Sequence, residues 1–360
     1  MRQHSSWYFA AVVTALTLVW AGSLEAAQRG GGRAPAYASA PEIPIEPVEG
    51  FFKLPEGLYF GEGIGIATNS QGHVFVYHRS QDTRLFEFDE DGNFVREIGI
   101  GLYGLEFAHK VRVDKYDNIW VVDEGANQVI KFNPEGRVEM VLGYRPPPVD
   151  GALAPEATDE WGRSGGPGAD ERYLFARPTD VTWDTEDNIF VSDGYFNHRV
   201  VKYSPDGKYI TQVGSGQRGN GLDELSLPHT IASDDEGNIY VGDRSNRRVM
   251  VYNSDLEYLR MFDQTGAPWE ICISPGPHQY LFVSNSNSDS NPARSWDTSG
   301  EVYKMELDGT VIGRFGEAGK AAGQFQTIHG MDCRNPNEIF IAEISAWRAQ
   351  KILVASDPVF

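Results

Sequence analysis

The sequence predicts an all-β fold, a six-bladed β-propeller, and three observations support this prediction. Six units of similar pattern follow one another along the 360 residues. Each unit combines a D-x-x-[DG]-N turn, an apolar triplet, a short polar turn and further apolar runs, which is typical of short antiparallel strands. No segment shows sustained helical periodicity. Four-stranded repeats of this kind close into a ring of blades.

The six units differ in how clearly they repeat. Three are clear: VDKYDNIWVVDEGANQVIKFNPEGRVEMVLG (113–143), WDTEDNIFVSDGYFNHRVVKYSPDGKYITQVG (183–214) and SDDEGNIYVGDRSNRRVMVYNSDLEYLRMF (233–262). Weaker copies span 68–99 and, with an insertion, about 268–316, and the last, 333–354, stops after its third strand. We therefore expect an N-terminal strand around GFFKLP, 50–55, to complete the sixth blade and remove its exposed edge.

The N-terminal segment predicts export. Arg2 precedes the uncharged, mostly apolar run WYFAAVVTALTLVWAG and small residues follow it, so residues 1–27 are expected to form a secretory signal peptide. The run is short for a membrane span, and an uncleaved anchor is the alternative. Residues 28–49 predict a flexible Pro/Gly/Ala-rich leader, and 50–360 the propeller. We expect a periplasmic or extracellular chain with no stable membrane insertion after cleavage.

Charge and cysteine content narrow the possible partners. Asp and Glu total 51 against 31 Lys and Arg, a net charge of −20, which disfavours binding to nucleic acid. Cys272 and Cys333 are the two cysteines, so an exported domain of this size does not depend on a disulfide framework. One bridge between them is possible, and nothing in the sequence requires it.

Three of the eight histidines occupy one repeat position. His109, His229 and His329 each lie ten residues before the first residue of an apolar triplet, in blades two, four and six. This position opens the innermost strand, and alternate blades lie about 120° apart around a sixfold ring. The corresponding residues of blades one and three, and the nearest match in blade five, are Ile64, Thr179 and Trp269.

The alternation predicts that three imidazoles converge on the channel axis. Three histidines with one open coordination position are a known catalytic zinc arrangement, with Zn–N distances of about 2.0–2.1 Å. Imidazole also suits Cu, Fe and Ni. The alternative is that three unrelated polar side chains line a hydrated channel.

Residues that follow the apolar triplets share this end of the blades. Arg79 and Arg244 fall on equivalent positions of blades one and four, and Tyr195 lies one residue further on in blade three. Paired arginines can hold a carboxylate, and cations beside a phenol favour its ionised form, which would make Tyr195 a general base. The alternative is that both arginines bridge acidic turns and the tyrosine packs on the rim. The residues expected to be structural because they recur in several blades are Asp123, Asp193 and Asp243.

Several motifs together resemble those of a known family. They are FVYHRS, AHKVRVD, VSDGYFN, LPHTIA, VGDRSNRRV and TIHGMD. The repeats resemble NHL-repeat propellers, and the motifs resemble peptidyl-α-hydroxyglycine α-amidating lyase, the lyase domain of peptidylglycine α-amidating enzyme, over essentially the whole propeller. The resemblance implies a carbon–nitrogen lyase that cleaves a carbinolamide to an amide and glyoxylate. It implies zinc at His109, His229 and His329, Tyr195 as general base, and Arg79 and Arg244 on the substrate carboxylate.

The chain also departs from that family. Gly330 stands where the family has an Asp that helps to hold a structural calcium, which argues against calcium there. Phe196 follows Tyr195, where the family has one of a pair of cysteines. The family's copper monooxygenase partner is absent from these 360 residues, so a preformed peptide or small-molecule substrate with a carboxylate is expected. Residues 144–175 would form a loop that covers the site.

Two other classes of function remain open from the sequence. One is a non-catalytic NHL propeller that binds a protein or glycan. The other is a different propeller enzyme, such as a streptogramin-lyase-like enzyme or a calcium-dependent, lactonase-like hydrolase. Calcium prefers oxygen ligands, and the acidic residues near suitable places are Glu62, Asp180 and Glu270.

Overall fold

The computed structural model describes residues 39–80, 82–102, 104–144, 171–286 and 299–356. Two predicted features lie wholly or largely outside the described residues. They are the signal peptide with the first part of the leader, up to residue 38, and the covering loop from 145 to 170. Within the described ranges, no helix has the length and hydropathy needed to cross a bilayer. The helices found there are two 3₁₀ turns, Glu171–Tyr173 and Arg244–Asn246.

Six four-stranded antiparallel sheets confirm the six-bladed propeller. Blades one and two are β2 (Glu62–Thr68), β3 (Val74–Arg79), β4 (Thr83–Phe88), β5 (Phe94–Ile98) and β6 (Ala108–Val113), β7 (Ile119–Asp123), β8 (Gln128–Phe132), β9 (Val138–Gly143). Blades three and four are β10 (Asp180–Trp183), β11 (Ile189–Asp193), β12 (Arg199–Tyr203), β13 (Tyr209–Val213) and β14 (Pro228–Ser233), β15 (Ile239–Asp243), β16 (Arg248–Tyr252), β17 (Tyr258–Phe262). Blades five and six are β18 (Pro268–Ile273), β19 (Tyr280–Asn285), β20 (Glu301–Glu306), β21 (Val311–Phe315) and β22 (Ile328–Asn335), β23 (Glu338–Glu343), β24 (Arg348–Val354), β1 (Ile45–Pro47).

The sixth blade takes its outer strand from the N-terminal side, but from a different segment than predicted. β1, Ile45–Pro47, pairs antiparallel with β24, whereas the sequence pointed to 50–55. Ile43 is 1% exposed and packs with Ile45 in the apolar cluster that joins blades five and six. Burial of these side chains therefore fixes part of the stretch 28–49 that composition assigned to a flexible leader.

The 50–55 segment packs against the ring instead of closing it. The Phe51 ring lies 5.5 Å from that of Phe340 in blade six, and the Phe52 ring lies 5.0 Å from that of Phe88 in blade one. Both pairs belong to one apolar cluster between these blades. The aromatic side chains of this segment bury area between two sheets instead of forming the edge strand.

The repeated D-x-x-x-N turns begin the second strand of each clear blade. In blade two, the Asp114 carboxylate accepts the backbone N–H groups of Tyr116 and Asn118, both at 2.9 Å. Asp184 and Asp234 accept equivalent bonds in blades three and four. Such side-chain acceptors stabilise a tight turn and so favour a hairpin at this point of these three repeats.

The recurrent aspartates at the end of the second strands have structural contacts. Asp123, Asp193 and Asp243 are each fully buried. They accept backbone N–H groups of the segments that enter the inner strands, at Phe107, Ala176 and Ser226. These contacts fix the start of each inner strand, which is where the predicted histidine position lies.

A disulfide joins the inner strands of blades five and six. Cys272 in β18 and Cys333 in β22 are bonded, with their Cα atoms 6.0 Å apart. Both residues are buried in the cluster that also holds Ile43. The bridge therefore connects the blade completed by the N-terminal strand to the blade before it.

Candidate metal centre

The three histidines meet in the channel as the repeat pattern predicted. His109, His229 and His329 are each the second residue of an inner strand, β6, β14 or β22, and each is at most 1% exposed. Their ring centroids are 4.9, 4.7 and 4.8 Å apart, close to an equilateral triangle. One nitrogen of each ring lies within 4.8 Å of the others.

A backbone carbonyl of the next blade orients each imidazole. The Nδ1 atoms bond to the carbonyl oxygens of Thr179 at 2.5 Å, Trp269 at 2.7 Å and Ile64 at 2.9 Å, for His109, His229 and His329 respectively. A carbonyl can only accept, so Nδ1 carries the proton and donates it. The Nε2 lone pair of each neutral ring then remains available.

Burial keeps the imidazoles neutral. Desolvation lowers the pKa of all three well below the ordinary value, and nearby cations lower it further: Lys110 and Arg79 act on His109 and His329, and Arg244 acts on His229. Among the described residues, Nε2 of His229 is buried and has no hydrogen-bond partner.

The donor set fits a transition metal. Three neutral imidazole nitrogens match a three-histidine site with an open position, which suits zinc and also other imidazole-binding metals. A bound cation would supply the partner that the buried Nε2 of His229 lacks.

Tyr195 lies beside the histidines. Its phenol oxygen is 3.4 Å from Nε2 of His109, and its ring centroid is 6.1 Å from that of His229. The guanidinium of Arg244 lies 5.7 Å from the centroid of the Tyr195 ring and 4.1 Å from that of Trp269. The structure thus brings Tyr195 and Arg244 to the imidazole triangle.

Arg79 lies beside the start of the strand that carries His109 and is held by three contacts. Its Nε donates to Glu62 at 2.7 Å and its NH1 donates to the carbonyl of Ala108 at 2.9 Å. Its guanidinium covers the ring of Phe107 at 3.6 Å from the centroid. The six side chains predicted from the sequence are therefore neighbours at one end of the channel.

Two further residues belong to this cluster and were not predicted. The Glu124 side chain is 2% exposed, and its Oε2 atom lies 3.5 Å from Nε2 of His109. The other carboxylate oxygen, Oε1, pairs with Arg177. The guanidinium of Arg177 lies 4.7 Å from the centroid of the Tyr195 ring. A sequence signal for Glu124 existed, because it holds the same repeat position as Arg79, directly after the second strand. Arg177 comes from the segment before blade three and has no repeat position to mark it.

A buried charge network begins one residue after the histidine position. Lys110 pairs with Glu270 and donates to the backbone carbonyl of His329 at 2.6 Å. Arg112 pairs with Asp180 at 2.5 Å and with Glu270 at 2.6 Å. Both carboxylates are fully buried, and each is matched by a cation.

The carboxylates named for the calcium-dependent alternative pair with cations in this structure. Glu62, Asp180 and Glu270 were the candidate calcium ligands, and an arginine or lysine holds each of them. At Gly330, a Cβ atom would lie 2.9 Å from the Cα of Gly65, so the backbone of blade one leaves no room for an aspartate side chain. The described residues therefore offer no vacant carboxylate cage for calcium at these places.

The chain is similar to known proteins in both sequence and fold. The DUF5128 family model, described as a 6-bladed beta-propeller, matches residues 169–330. The probable peptidyl-alpha-hydroxyglycine alpha-amidating lyase pgal-1 of Caenorhabditis elegans is 28% identical over 68% of this chain and 73% of that protein. The peptidyl-glycine alpha-amidating monooxygenase of Mus musculus is 29% identical over 76% of this chain. The chain is a six-bladed β-propeller homologous to the amidating lyases.

The homology is broader than one activity. This propeller spans only 30% of the length of the mouse monooxygenase. It is also 24% identical to NHL repeat-containing protein 3 of Homo sapiens, over 84% of this chain and 82% of that protein. The relationship therefore extends to the amidating lyases and to NHL repeat-containing proteins alike.

Solved structures share the fold of the propeller. A gluconolactonase from Xanthomonas campestris has a TM-score of 0.56 and 14% identity, and covers 90% of this chain and 98% of its own. Virginiamycin B lyase from Staphylococcus aureus has a TM-score of 0.55 and 12% identity, and covers 87% of this chain and all of its own. At these identities the likeness concerns the six-bladed fold alone.

Proposed function

We propose that this propeller is a metal-dependent lyase that cleaves the C–N bond of a carbinolamide, with an amide and glyoxylate as products. The observation that carries the proposal is the triangle of His109, His229 and His329, with Tyr195 3.4 Å from one Nε2 atom. Homology to the amidating lyases supports the same chemistry.

His109, His229 and His329 would hold the metal, and zinc is the ion proposed. When bound, such an ion supplies Lewis-acid polarisation of the substrate hydroxyl. The Nδ1 bonds to three backbone carbonyls keep the rings in one tautomer, so the protein fixes the donor atoms before any ion binds.

Tyr195 is the proposed general base. Its phenolate oxygen would accept the proton of the substrate hydroxyl, and the O–H electron pair would form the new carbonyl bond. The electron pair of the breaking C–N bond would pass to the amide nitrogen, which takes a proton from the tyrosine. The products are R–CO–NH₂ and the aldehyde OHC–COO⁻, so atoms and charge balance.

Arg79 and Arg244 are the proposed carboxylate ligands of the substrate. They stand at equivalent repeat positions on blades one and four, where Arg79 covers the ring of Phe107 and Arg244 that of Trp269. Guanidinium groups bind carboxylates bidentately, and the stacking of these two on Phe107 and Trp269 limits their rotation. A substrate held in this way would present its hydroxyl carbon to the imidazole triangle.

The test is release of glyoxylate from an N-acyl-α-hydroxyglycine by the zinc-loaded protein. Tyr195→Phe is expected to lower kcat about 10²- to 10⁴-fold while the metal content stays unchanged, since it removes one proton acceptor. The matched control is Tyr59→Phe, because Tyr59 is 76% exposed. A zinc-loaded wild type that releases no glyoxylate would refute the proposal and would favour a non-catalytic propeller, as homology to NHL repeat-containing protein 3 allows.

A further inference from the structure

We infer that Glu124 is a fourth protein ligand of the metal centre, so that the site has three histidines and one carboxylate. The inference rests on the metal centre of the proposed function and extends it. Glu124 directly follows β7 and holds the repeat position that Arg79 and Arg244 hold in blades one and four. Side chains at this position reach the imidazole triangle, and in blade two that side chain is acidic.

Nε2 of His109 faces the carboxylate of Glu124. The Nδ1 of His109 is turned to the carbonyl of Thr179, so Nε2 is the ring nitrogen that lies 3.5 Å from the Oε2 of Glu124. Two acceptor atoms that face each other in a buried place repel unless a cation lies between them. A metal ion bound to both atoms would provide that cation.

The spacing suits two ligands of one ion. With metal–ligand bonds of about 2.0–2.1 Å, neighbouring donor atoms of a tetrahedron lie roughly 3.3–3.4 Å apart. The 3.5 Å between Nε2 of His109 and Oε2 of Glu124 is close to this edge length. The three imidazole donors themselves lie within 4.8 Å of one another.

The rest of the Glu124 side chain is held for this role. Its other oxygen pairs with Arg177, and its backbone N–H donates to the carbonyl of Phe107 at 3.0 Å. Arg177 is itself fixed, because its backbone N–H donates to the side-chain oxygen of Asn127 at 2.8 Å and its guanidinium lies against the Tyr195 ring. A carboxylate with one oxygen on an arginine keeps the other oxygen pointed at a single place.

The carboxylate changes what the centre can bind. A mixed set of three nitrogens and one oxygen carries one negative charge, which three neutral imidazoles lack, and it suits harder divalent ions as well as zinc. Glu124 would occupy the fourth position of the ion, so the substrate hydroxyl of the proposed function would bind as a fifth ligand, an expansion that catalytic zinc sites allow. We therefore expect Glu124 to raise metal affinity and to set the coordination number.

The test compares metal binding by the whole chain in the wild type and in Glu124→Gln. Zinc affinity is measured in competition with a chelator, and cobalt(II) binding is followed by its visible spectrum. We expect Glu124→Gln to weaken zinc binding at least about 10-fold and to change the cobalt spectrum. Glu62→Gln is the matched control, since the Glu62 carboxylate also pairs with an arginine, Arg79, instead of a histidine. Because Glu124→Gln removes the ionic partner of Arg177, the double variant Glu124→Gln/Arg177→Gln is measured too, with the same loss expected.

The outcomes separate this inference from the proposed function. Unchanged zinc affinity and an unchanged cobalt spectrum in both Glu124 variants would overturn the carboxylate ligand and leave the three-histidine centre intact. A wild type that binds neither zinc nor cobalt would overturn both. Weaker binding in the Glu124 variants with normal binding in Glu62→Gln would support the four-ligand site.

Discussion

His229 donates its Nδ1 proton to the backbone carbonyl of Trp269, 2.7 Å away. In the repeat, Trp269 is the blade-five match of the position that His229 holds in blade four. The same relation joins His109 to Thr179. Even-numbered blades thus supply the imidazoles, and odd-numbered blades supply the carbonyls that orient them, so one repeat position builds both the ligands and their supports.

This alternation predicts the tautomer of each ring. In the metal-free protein at neutral pH, we expect His109, His229 and His329 to carry the proton on Nδ1, because each Nδ1 faces a carbonyl. Long-range ¹⁵N–¹H correlation spectra of the imidazoles measure this directly. His278, whose side chain is 60% exposed, serves as the internal reference. A proton on Nε2 in any of the three rings would contradict the account.

The carboxylate clamp predicts a charge-selective loss of substrate binding. Arg79→Lys and Arg244→Lys are each expected to raise KM about 10- to 100-fold, since a hydrogen bond to a charged group contributes roughly 1.5–3 kcal/mol. Turnover of a substrate analogue with a carboxamide in place of the carboxylate should change little. Arg84→Lys is the control, because Arg84 pairs with Glu97 and not with any of the three histidines of the metal centre. Equal losses on the charged and neutral substrates would contradict the clamp.

The disulfide predicts a measurable contribution to stability. Cys272 and Cys333 are 61 residues apart. Closing a loop of this length reduces the entropy of the unfolded chain, which stabilises the folded protein by about 4 kcal/mol. Cys272→Ala/Cys333→Ala should lower the free energy of unfolding by roughly that amount, with the midpoint of denaturant unfolding as the measurement. An unchanged midpoint in the double variant would show that the bridge is absent or without effect.

Buried His78 predicts a loss of stability in mild acid. Burial, followed by the charge of Arg84, lowers its pKa from the ordinary value of 6.5 to about 4. Between these pH values the unfolded chain binds a proton at His78 that the folded protein does not, so stability falls as the pH falls from 6.5 toward 4. The full effect is about 3 kcal/mol.

His78→Gln isolates this effect, because an amide oxygen can still accept the N–H of Gly61, which donates to Nδ1 of His78 at 3.2 Å. The free energy of unfolding is measured against pH for both proteins. As the pH falls from 6.5 to 4, the wild type should lose unfolding free energy faster than His78→Gln does. Any stability advantage of the wild type should therefore shrink or reverse. Parallel curves would refute the assignment.

Regular repetition made most of the architecture and much of the site predictable. A fixed offset of ten residues from an apolar triplet was enough to place His109, His229 and His329 on inner strands, because every blade repeats the same turns and strand lengths. The same register placed Arg79 and Arg244 at the same end of the channel. The confirmed six-bladed fold follows from the turn chemistry and the apolar triplets.

Features outside the repeat were not predictable. The closing strand lies at Ile45–Pro47 instead of 50–55, because burial of Ile43 decides its position and composition does not. Arg177 approaches Tyr195 from a segment between blades, and its place depends on contacts distant in sequence. Glu124 was at a recognised repeat position, but an acidic residue in a turn is common and its neighbour His109 is visible only in three dimensions.

Metal analysis of the purified protein, wild type beside His229→Ala and His278→Ala, tests the central claim most directly. The account predicts about one equivalent of zinc or a related divalent metal in the wild type and in His278→Ala, and none in His229→Ala, because one of the three imidazole ligands is lost. A wild type that contains no metal and cannot be reloaded would contradict the metal centre, and with it the lyase chemistry proposed for this propeller.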